Sequence, residues 1–277
     1  SSLVQAYQQI IFDRADAIAA NPKEATYGTK ENGDPNPDNM LRLIMDGKKM
    51  ALDPRLVYID AKESPESKLV VSAHRILKHY KESNNIKGAQ LVFMDLGSPK
   101  GKTRKTERLS EQIREENADV DVEQVQAVME LSESDTNFNA YDGLKNKLIA
   151  MGIPSHEIAF IHDADDSNKV KKIRKLRKLM ADVNTGKIRV IIGSTPKLGT
   201  GVNIQRRIVA THHLDIWWNF SAWQQRNGRT LRTGNMVHRI TVKDADGKEI
   251  HTEWVLGADQ AKARIEKFES QYPKILY

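Results

Sequence analysis

The sequence predicts an α/β protein built on a mostly parallel sheet with helices on both faces. Five short apolar runs support this fold class, at residues 91–94, 158–161, 188–192, 208–214 and 238–242. Most of the stretches between them are long enough for a helix, and strands that alternate with helices pair in parallel. No run of about 18 apolar residues occurs, so the sequence predicts no membrane-spanning helix.

Further elements are predicted before and after that alternation. Apolar residues recur at helical spacing over 3–20 and again over 64–80. Residues 21–39 are rich in glycine and proline, which predicts a surface loop or a disordered stretch. Near the end of the sequence, residues 244–247 (Asp-Ala-Asp-Gly) separate two alternating runs and predict a hairpin, and residues 260–271 predict a closing helix.

These elements divide the chain into two predicted parts. Residues 1–66 form an N-terminal helical and loop extension, and residues 67–277 form the α/β domain. Within that domain, residues 97–142 are polar and charged, with one helix predicted near 122–131. A connection of this length and polarity is interpreted as an insertion rather than as part of the core.

The composition excludes several kinds of chemistry. The chain has no cysteine, which rules out disulfides, thiolate metal sites and cysteine nucleophiles. The first residues lack a basic-then-apolar signal pattern, which predicts an intracellular, cytoplasmic protein. A formal net charge of +6 is compatible with a polyanionic partner, although many basic proteins bind no nucleic acid.

One segment imitates a phosphate-binding loop but has the wrong spacing. Three residues separate Gly97 from Gly101-Lys102-Thr103, whereas the loop needs four, and one of the three is Pro99, which has no N–H. The preceding run ends at Asp95, as magnesium-binding strands do, but Leu96 follows where a catalytic carboxylate would stand. A core strand with a solvated basic loop is the better interpretation, so a self-sufficient ATPase is not predicted.

Two clusters between 190 and 235 suit phosphate binding. After the apolar residues 190–192, Ser194 and Thr195 offer hydrogen-bond donors, and the nearby glycines allow a ligand to approach the backbone. Further on, Arg229 and Arg232 are three residues apart and would share one helix face. The stretch 225–235 contains no acid, which favours a phosphate-directed arginine pair over an ordinary solvated helix.

A basic segment at 169–178 has two interpretations. Seven of its ten residues are lysine or arginine, while Val170, Ile173, Leu176 and Met180 form an apolar stripe. The favoured interpretation is a surface helix packed through that stripe; the alternative adds phosphate contacts along its rim, and both can hold.

The remaining candidates favour structural roles. His212 and His213 are adjacent, so on a strand they point to opposite faces and are not predicted to share a metal ion. Three tryptophans could stack on bases, although core packing is more common near a helix start: Trp217, Trp218 and Trp223.

The second cluster resembles a known motif pattern. The pattern consists of an aspartate, a tryptophan-asparagine pair, a glutamine, two arginines and a glycine, in that order. These are Asp215, Trp218-Asn219, Gln225, Arg229, Arg232 and Gly234. This second cluster resembles motif VI of superfamily-two helicases of the Swi/Snf-like branch. Residues 193–204 resemble motif V of the same branch, and residues 90–95 resemble motif IV. Residues 161–163, 212–215 and 232–235 are similar to helicase-and-methylase proteins of phages and conjugative elements. The resemblance covers roughly 67–243 and extends to 38–56.

The resemblance implies a RecA-like fold and the C-terminal motor lobe of a DNA helicase or translocase. Such a lobe closes over ATP and Mg²⁺ that a missing first lobe holds, and DNA and that first lobe would be its partners. An attached DNA methylase domain is compatible with the same resemblance. A degenerate lobe that only binds DNA or another protein is the alternative, and the isolated chain is expected to be inactive as an ATPase.

The resemblance also implies a role for each matching residue. It places Gln225 near the nucleotide. It implies that Arg229 and Arg232 stabilise the charge on the transferred phosphoryl group. Approach to the ribose and the cleft between lobes is implied for Gly199, Gly201 and Asn203. Contact with a nucleic-acid backbone is implied for Ser194, Thr195 and Lys197.

Overall fold

The computed structural model describes residues 2–29, 33–57, 61–96, 138–199, 203–215, 234–244 and 246–271, with the single positions 224 and 228. The chain divides into two compact units. One comprises Ser1–Val70 and Leu96–Ala140, and the other comprises Val71–Asp95 and Tyr141–Tyr277. Residues 97–137, with the imitation phosphate loop and the helix predicted near 122–131, lie outside the described residues.

The first unit begins with two helices and a small hairpin. Helix α1 (Ser2–Ala20) confirms the helix predicted over 3–20. It is followed by β1 (Thr26–Thr29), the antiparallel β2 (Pro35–Pro37) and helix α2 (Met40–Leu52). The prediction of a loop or disordered stretch over 21–39 was therefore wrong in part, because this segment contains a β-hairpin.

A buried ion pair explains why that hairpin is ordered despite its turn-rich sequence. The Arg14 guanidinium donates to both carboxylate oxygens of Asp38, at 2.7 and 2.8 Å, and to Asp46 at 3.1 Å. It also lies 3.8 Å from the ring centroid of Tyr27 in β1. Arginine satisfies several partners at once with its planar donors, so one side chain of α1 holds both the hairpin and α2.

The second unit contains the predicted parallel sheet. Its four strands are β3 (Ala89–Phe93), β4 (Ile158–Phe160), β5 (Val190–Gly193) and β6 (Ile208–His213). Their order is β4-β5-β3-β6, and every pairing is parallel. The two central strands, β5 and β3, are buried along their whole length, as expected of strands covered on both faces.

Helices cover both faces of the sheet, which confirms the predicted fold class. Helix α3 (Lys68–Glu82) lies on one face, where the side-chain amide of Gln90 donates to the carbonyl of Ile76 at 3.0 Å. On the other face, helix α5 (Lys169–Thr185) packs Leu179 and Val183 against the core of the sheet. Helix α4 (Ala140–Ala150) begins inside the segment interpreted as an insertion.

The apolar stripe predicted for helix α5 is confirmed at Leu176 and Met180 but was wrong at Val170 and Ile173. Val170 and Ile173 are 76% and 43% exposed, and the packed residues lie further along the helix: Leu176, Leu179, Met180 and Val183. A 17-residue helix is about 25 Å long, whereas strands of three to six residues span roughly 10–20 Å. The first two turns of α5 therefore leave their apolar residues in solvent.

The fifth apolar run does not join the parallel sheet. It forms β7 (Val237–Lys243), which pairs antiparallel with β8 (Glu249–Leu256) in a separate hairpin. The short turn at 244–247 confirms the predicted hairpin and imposes this antiparallel pairing. Helix α7 (Ala258–Gln271) confirms the closing helix and packs against the hairpin. Of the helices in the described ranges, none has the length and apolarity needed to cross a membrane.

Candidate functional site

Hydrogen bonds join the carboxyl ends of three neighbouring strands. Asp95 follows β3, Thr195 follows β5 and Asp215 follows β6. The Asp95 carboxylate accepts from the backbone N–H of Thr195 at 2.7 Å and from its hydroxyl at 2.6 Å. The backbone N–H of Asp95 donates to the carboxylate of Asp215. These bonds fix the edge of the sheet at which parallel α/β proteins bind ligands.

Ser194 and Thr195 lie at this edge but are largely buried. They are 6% and 8% exposed, and the hydroxyl proton of Thr195 is directed to Asp95. Thr195 begins the short helix α6 (Thr195–Gly199), so Gly199 ends that helix. The predicted contact of the two hydroxyls with a nucleic-acid backbone stays a prediction.

Close packing explains the glycine before that helix. A Cβ on Gly193 would lie 2.8 Å from Cγ of Leu198 in α6 and would also overlap the side chain of Ile161. Only glycine lets α6 lie this close to the end of β5. The turn that presents Ser194 and Thr195 thus depends on a residue without a side chain.

Lys197 points to a pair of acidic residues beyond β4. Its ammonium forms an ion pair with Asp165, which also binds Lys172 at 2.9 Å. Partial burial acts to raise the pKa of Asp165, but the two lysines outweigh it and hold that pKa below its usual range. The neighbouring Asp166 binds Lys175 at 3.0 Å. Neither aspartate was among the predicted site residues, although both closely follow an apolar run.

Asn203 lies apart from the Ser194–Thr195 turn. Its backbone N–H contacts the sulfur of Met180 at 3.2 Å, and its carbonyl accepts from the side chain of Asn184 at 2.8 Å. Asn184 stands one residue before the end of α5, which leads through Gly186 to the beginning of β5. The structure therefore places Asn203 near the ends at which the strands begin.

Four of the predicted site residues lie outside the described residues: Gly201, Gln225, Arg229 and Arg232. The described residues that flank the arginine cluster are held by hydrogen bonds at the sheet. Asp215 lies at the carboxyl edge of the sheet. On the other side of the cluster, Asn235 donates to the carbonyl of Ile208 at 2.9 Å, at the start of β6. These two flanking residues therefore lie at opposite edges of the sheet.

The adjacent histidines point to opposite faces of β6. The Nε2 atom of His212 lies 2.8 Å from Oε1 of Gln90, whereas the ring of His213 stacks on Phe93 with centroids 5.4 Å apart. Gln90 and Phe93 are three residues apart on β3, so they face opposite sides of the sheet. Among the described residues, no three histidine or acidic side chains are grouped to hold a metal ion.

Burial of His212 predicts a specific dependence of stability on pH. Burial, together with the nearby His79, His213 and Arg75, lowers the pKa of His212 to about 4. The unfolded chain binds this proton with an ordinary pKa of about 6.5. The neutral ring therefore contributes stability above about pH 6.5, and that contribution is lost as the pH falls towards 4.

Between pH 7 and pH 5 we expect this one group to reduce the free energy of unfolding by about 2 kcal/mol. Urea unfolding of the native chain and of His212→Gln at both pH values measures the effect. The variant should lose about 2 kcal/mol less than the native chain, while the exposed His251→Gln control should lose as much as the native chain. Equal losses in the native chain and in His212→Gln would exclude this role.

The fold and the position of these residues define a class of protein. A parallel sheet with polar residues at its carboxyl edge and helices on both faces is an α/β fold of the RecA-like type. Residues 155–234 match the family model of the helicase conserved C-terminal domain, a range that runs from before β4 through the arginine cluster. This match supports a C-terminal helicase lobe of superfamily two. No curated protein matches the chain.

Proposed function

We propose that this chain supplies the second motor lobe of an ATP-dependent DNA helicase or translocase. The observation that carries the proposal is the family match at 155–234, which includes both the strand-end turn at Ser194 and the arginine cluster. Helicase domains generally bind nucleic acid. A first lobe would hold the nucleotide, because the only similar loop here, at 97–103, has the wrong spacing for phosphates.

The arginine cluster would complete the ATP site from across the cleft. ATP with Mg²⁺ supplies the phosphoryl group that is transferred to water. Arg229 and Arg232 would stabilise the charge that develops on that group, and Gln225 would lie near the nucleotide. Gly199 and Gly201 would let the backbone approach the ribose. Asn203 would fix the end of the same loop, since α5 already holds its backbone.

The metal ion would be held by the first lobe. Both carboxylate oxygens of Asp95 already accept hydrogen bonds from Thr195, and Leu96 follows where a second carboxylate would stand. The carboxylate of Asp215 accepts a backbone N–H. The carboxylates at the edge of this sheet thus accept hydrogen bonds from neighbouring residues. This suits a lobe that contributes positive charge rather than metal ligands.

The turn after β5 would contact the DNA backbone. Lys197 is partly exposed and its partner Asp165 is 41% exposed, so a phosphate can replace Asp165 with a small loss of ion-pair energy. Ser194 and Thr195 lie on the same turn, where their hydroxyl oxygens and backbone are close to the edge. Closure of the two lobes over ATP would then move this turn along the strand.

The isolated chain provides the first test. We expect it to hydrolyse ATP no faster than buffer, because the loop-like sequence at 97–103 has the wrong spacing for phosphates. We expect it to bind DNA modestly, with an affinity that falls as salt rises. Malachite-green phosphate release and fluorescence anisotropy with a labelled oligonucleotide measure the two properties. Rapid turnover by the isolated chain would refute the role of a second lobe. Tight binding that does not depend on salt would indicate readout of the bases instead.

A further inference from the structure

The outer face of helix α5 carries unpaired positive charge. Lys171, Arg174 and Lys178 are three and four residues apart, so they lie in one row along the helix. All three are exposed, on the side away from the packed residues Leu179 and Val183. We call Lys171, Arg174 and Lys178 the outer triad.

Acidic residues pair with Lys172 and Lys175 of α5, and within the described residues none pairs with a member of the outer triad. Lys172 and Lys175 bind Asp165 and Asp166 at 2.9 and 3.0 Å. Within the described ranges, no carboxylate lies within ion-pair distance of any member of the outer triad. The helix contains a single acid, Asp182, which binds Lys187. The charge of the outer triad is therefore available to a partner.

We propose that the outer triad binds the phosphodiester backbone of DNA, at a surface separate from the strand-end turn of Ser194. Lys171 and Lys178 are seven positions apart on the helix, an axial distance of about 10 Å. Each DNA strand carries one phosphate per roughly 3.4 Å of helix axis, so the row spans about three phosphates. The choice of DNA among polyanions rests on the proposed function.

The structure favours DNA over an anionic membrane. A helix that lies in a membrane surface needs a broad apolar face, with large side chains opposite its basic face. The apolar face of α5 is packed on the sheet, and only Val170 and Ile173 remain exposed. Two aliphatic side chains beside a row of cations suit contact with a charged backbone better than insertion among lipids, which needs a broad apolar face.

The salt dependence of DNA binding tests the proposal. Each phosphate contact contributes about 0.9 to the slope of log K against log salt. The 277-residue chain with Lys171→Gln, Arg174→Gln and Lys178→Gln should therefore show a slope smaller by about 2 to 3. Its affinity at about 0.1 M salt should fall by roughly 10- to 100-fold for oligonucleotides of any sequence.

Two controls separate contact from a general loss of charge. Lys248→Gln, Lys262→Gln and Lys267→Gln together remove three exposed lysines from the hairpin and α7, and this variant should keep nearly the native slope. The double variant Lys171→Arg and Lys178→Arg preserves the charge and should also bind as the native chain does. Circular dichroism confirms that each variant is folded.

An unchanged slope in the outer-triad variant, or an equal decrease in the lysine control, would overturn the proposal. So would capture of the native chain by phosphatidylserine vesicles with no measurable binding to DNA. None of these results bears on ATP hydrolysis, which depends on the arginine cluster in the proposed function. Failure of the outer triad and failure of the motor role are therefore measured separately.

Discussion

Arg232→Ala is expected to reduce DNA-stimulated ATP hydrolysis by on the order of 10³-fold or more, in a protein that joins this chain to a first lobe with a phosphate-binding loop. An arginine that reaches the transferring phosphoryl group across a cleft stabilises charge that exists only in the transition state. A surface phosphate contact contributes to binding instead. DNA affinity and folding should therefore change little in this variant.

Three companion variants make this result specific. Arg232→Lys should not restore the rate, because an ammonium group lacks the planar pair of donors that arginine presents. Arg229→Ala should behave like Arg232→Ala. Lys197→Ala should weaken DNA binding but keep appreciable turnover at saturating DNA. A variant of Arg232 with reduced DNA affinity and a normal maximal rate would assign this arginine to DNA contact instead.

Arg189→Ala is expected to lower the free energy of unfolding by about 3–5 kcal/mol, the cost of breaking a buried charged network. Arg189 is fully buried just before β5. Its guanidinium donates to the carbonyls of Gly88 and Tyr80 and to the side chain of Asn84, and it lies 3.8 Å from the ring centroid of Tyr80. Truncation leaves these acceptors buried without a donor and opens a cavity.

Urea unfolding at neutral pH measures this loss. The matched control is Lys187→Ala, two residues earlier, whose side chain is 75% exposed and lies 3.6 Å from Asp182. An exposed pair of this kind contributes at most about 1 kcal/mol, so the control should remain close to the native stability. Equal losses for the two variants would contradict the structural role of Arg189.

The sheet could be predicted from the sequence because its signal is local. Each parallel strand is a short apolar run, since both faces are covered, and such runs are visible without knowledge of their neighbours. The first hairpin could not be predicted in the same way. It depends on Arg14 and Asp38, which are 24 residues apart and whose pairing no local pattern reveals.

The candidate site was predictable by residue type but not by partner. Ser194 and Thr195 follow an apolar run, and that position places them at the edge of a parallel sheet. The bonds that Thr195 donates to Asp95 cross 100 residues of sequence, so the sequence alone predicted Asp95 only as the end of a core strand. Only the second half of the predicted stripe of α5 packs, because periodicity shows which residues share a face but not how far the sheet extends beneath them.

ATP turnover by the joined two-lobe protein, with and without DNA, is the most direct test of the central claim. We expect negligible turnover by either lobe alone, and we expect turnover in the joined protein that DNA increases. Phosphate release at saturating ATP measures all of these rates under one set of conditions. Turnover by this chain alone, or a joined protein whose rate is the same with and without this lobe, would contradict the account.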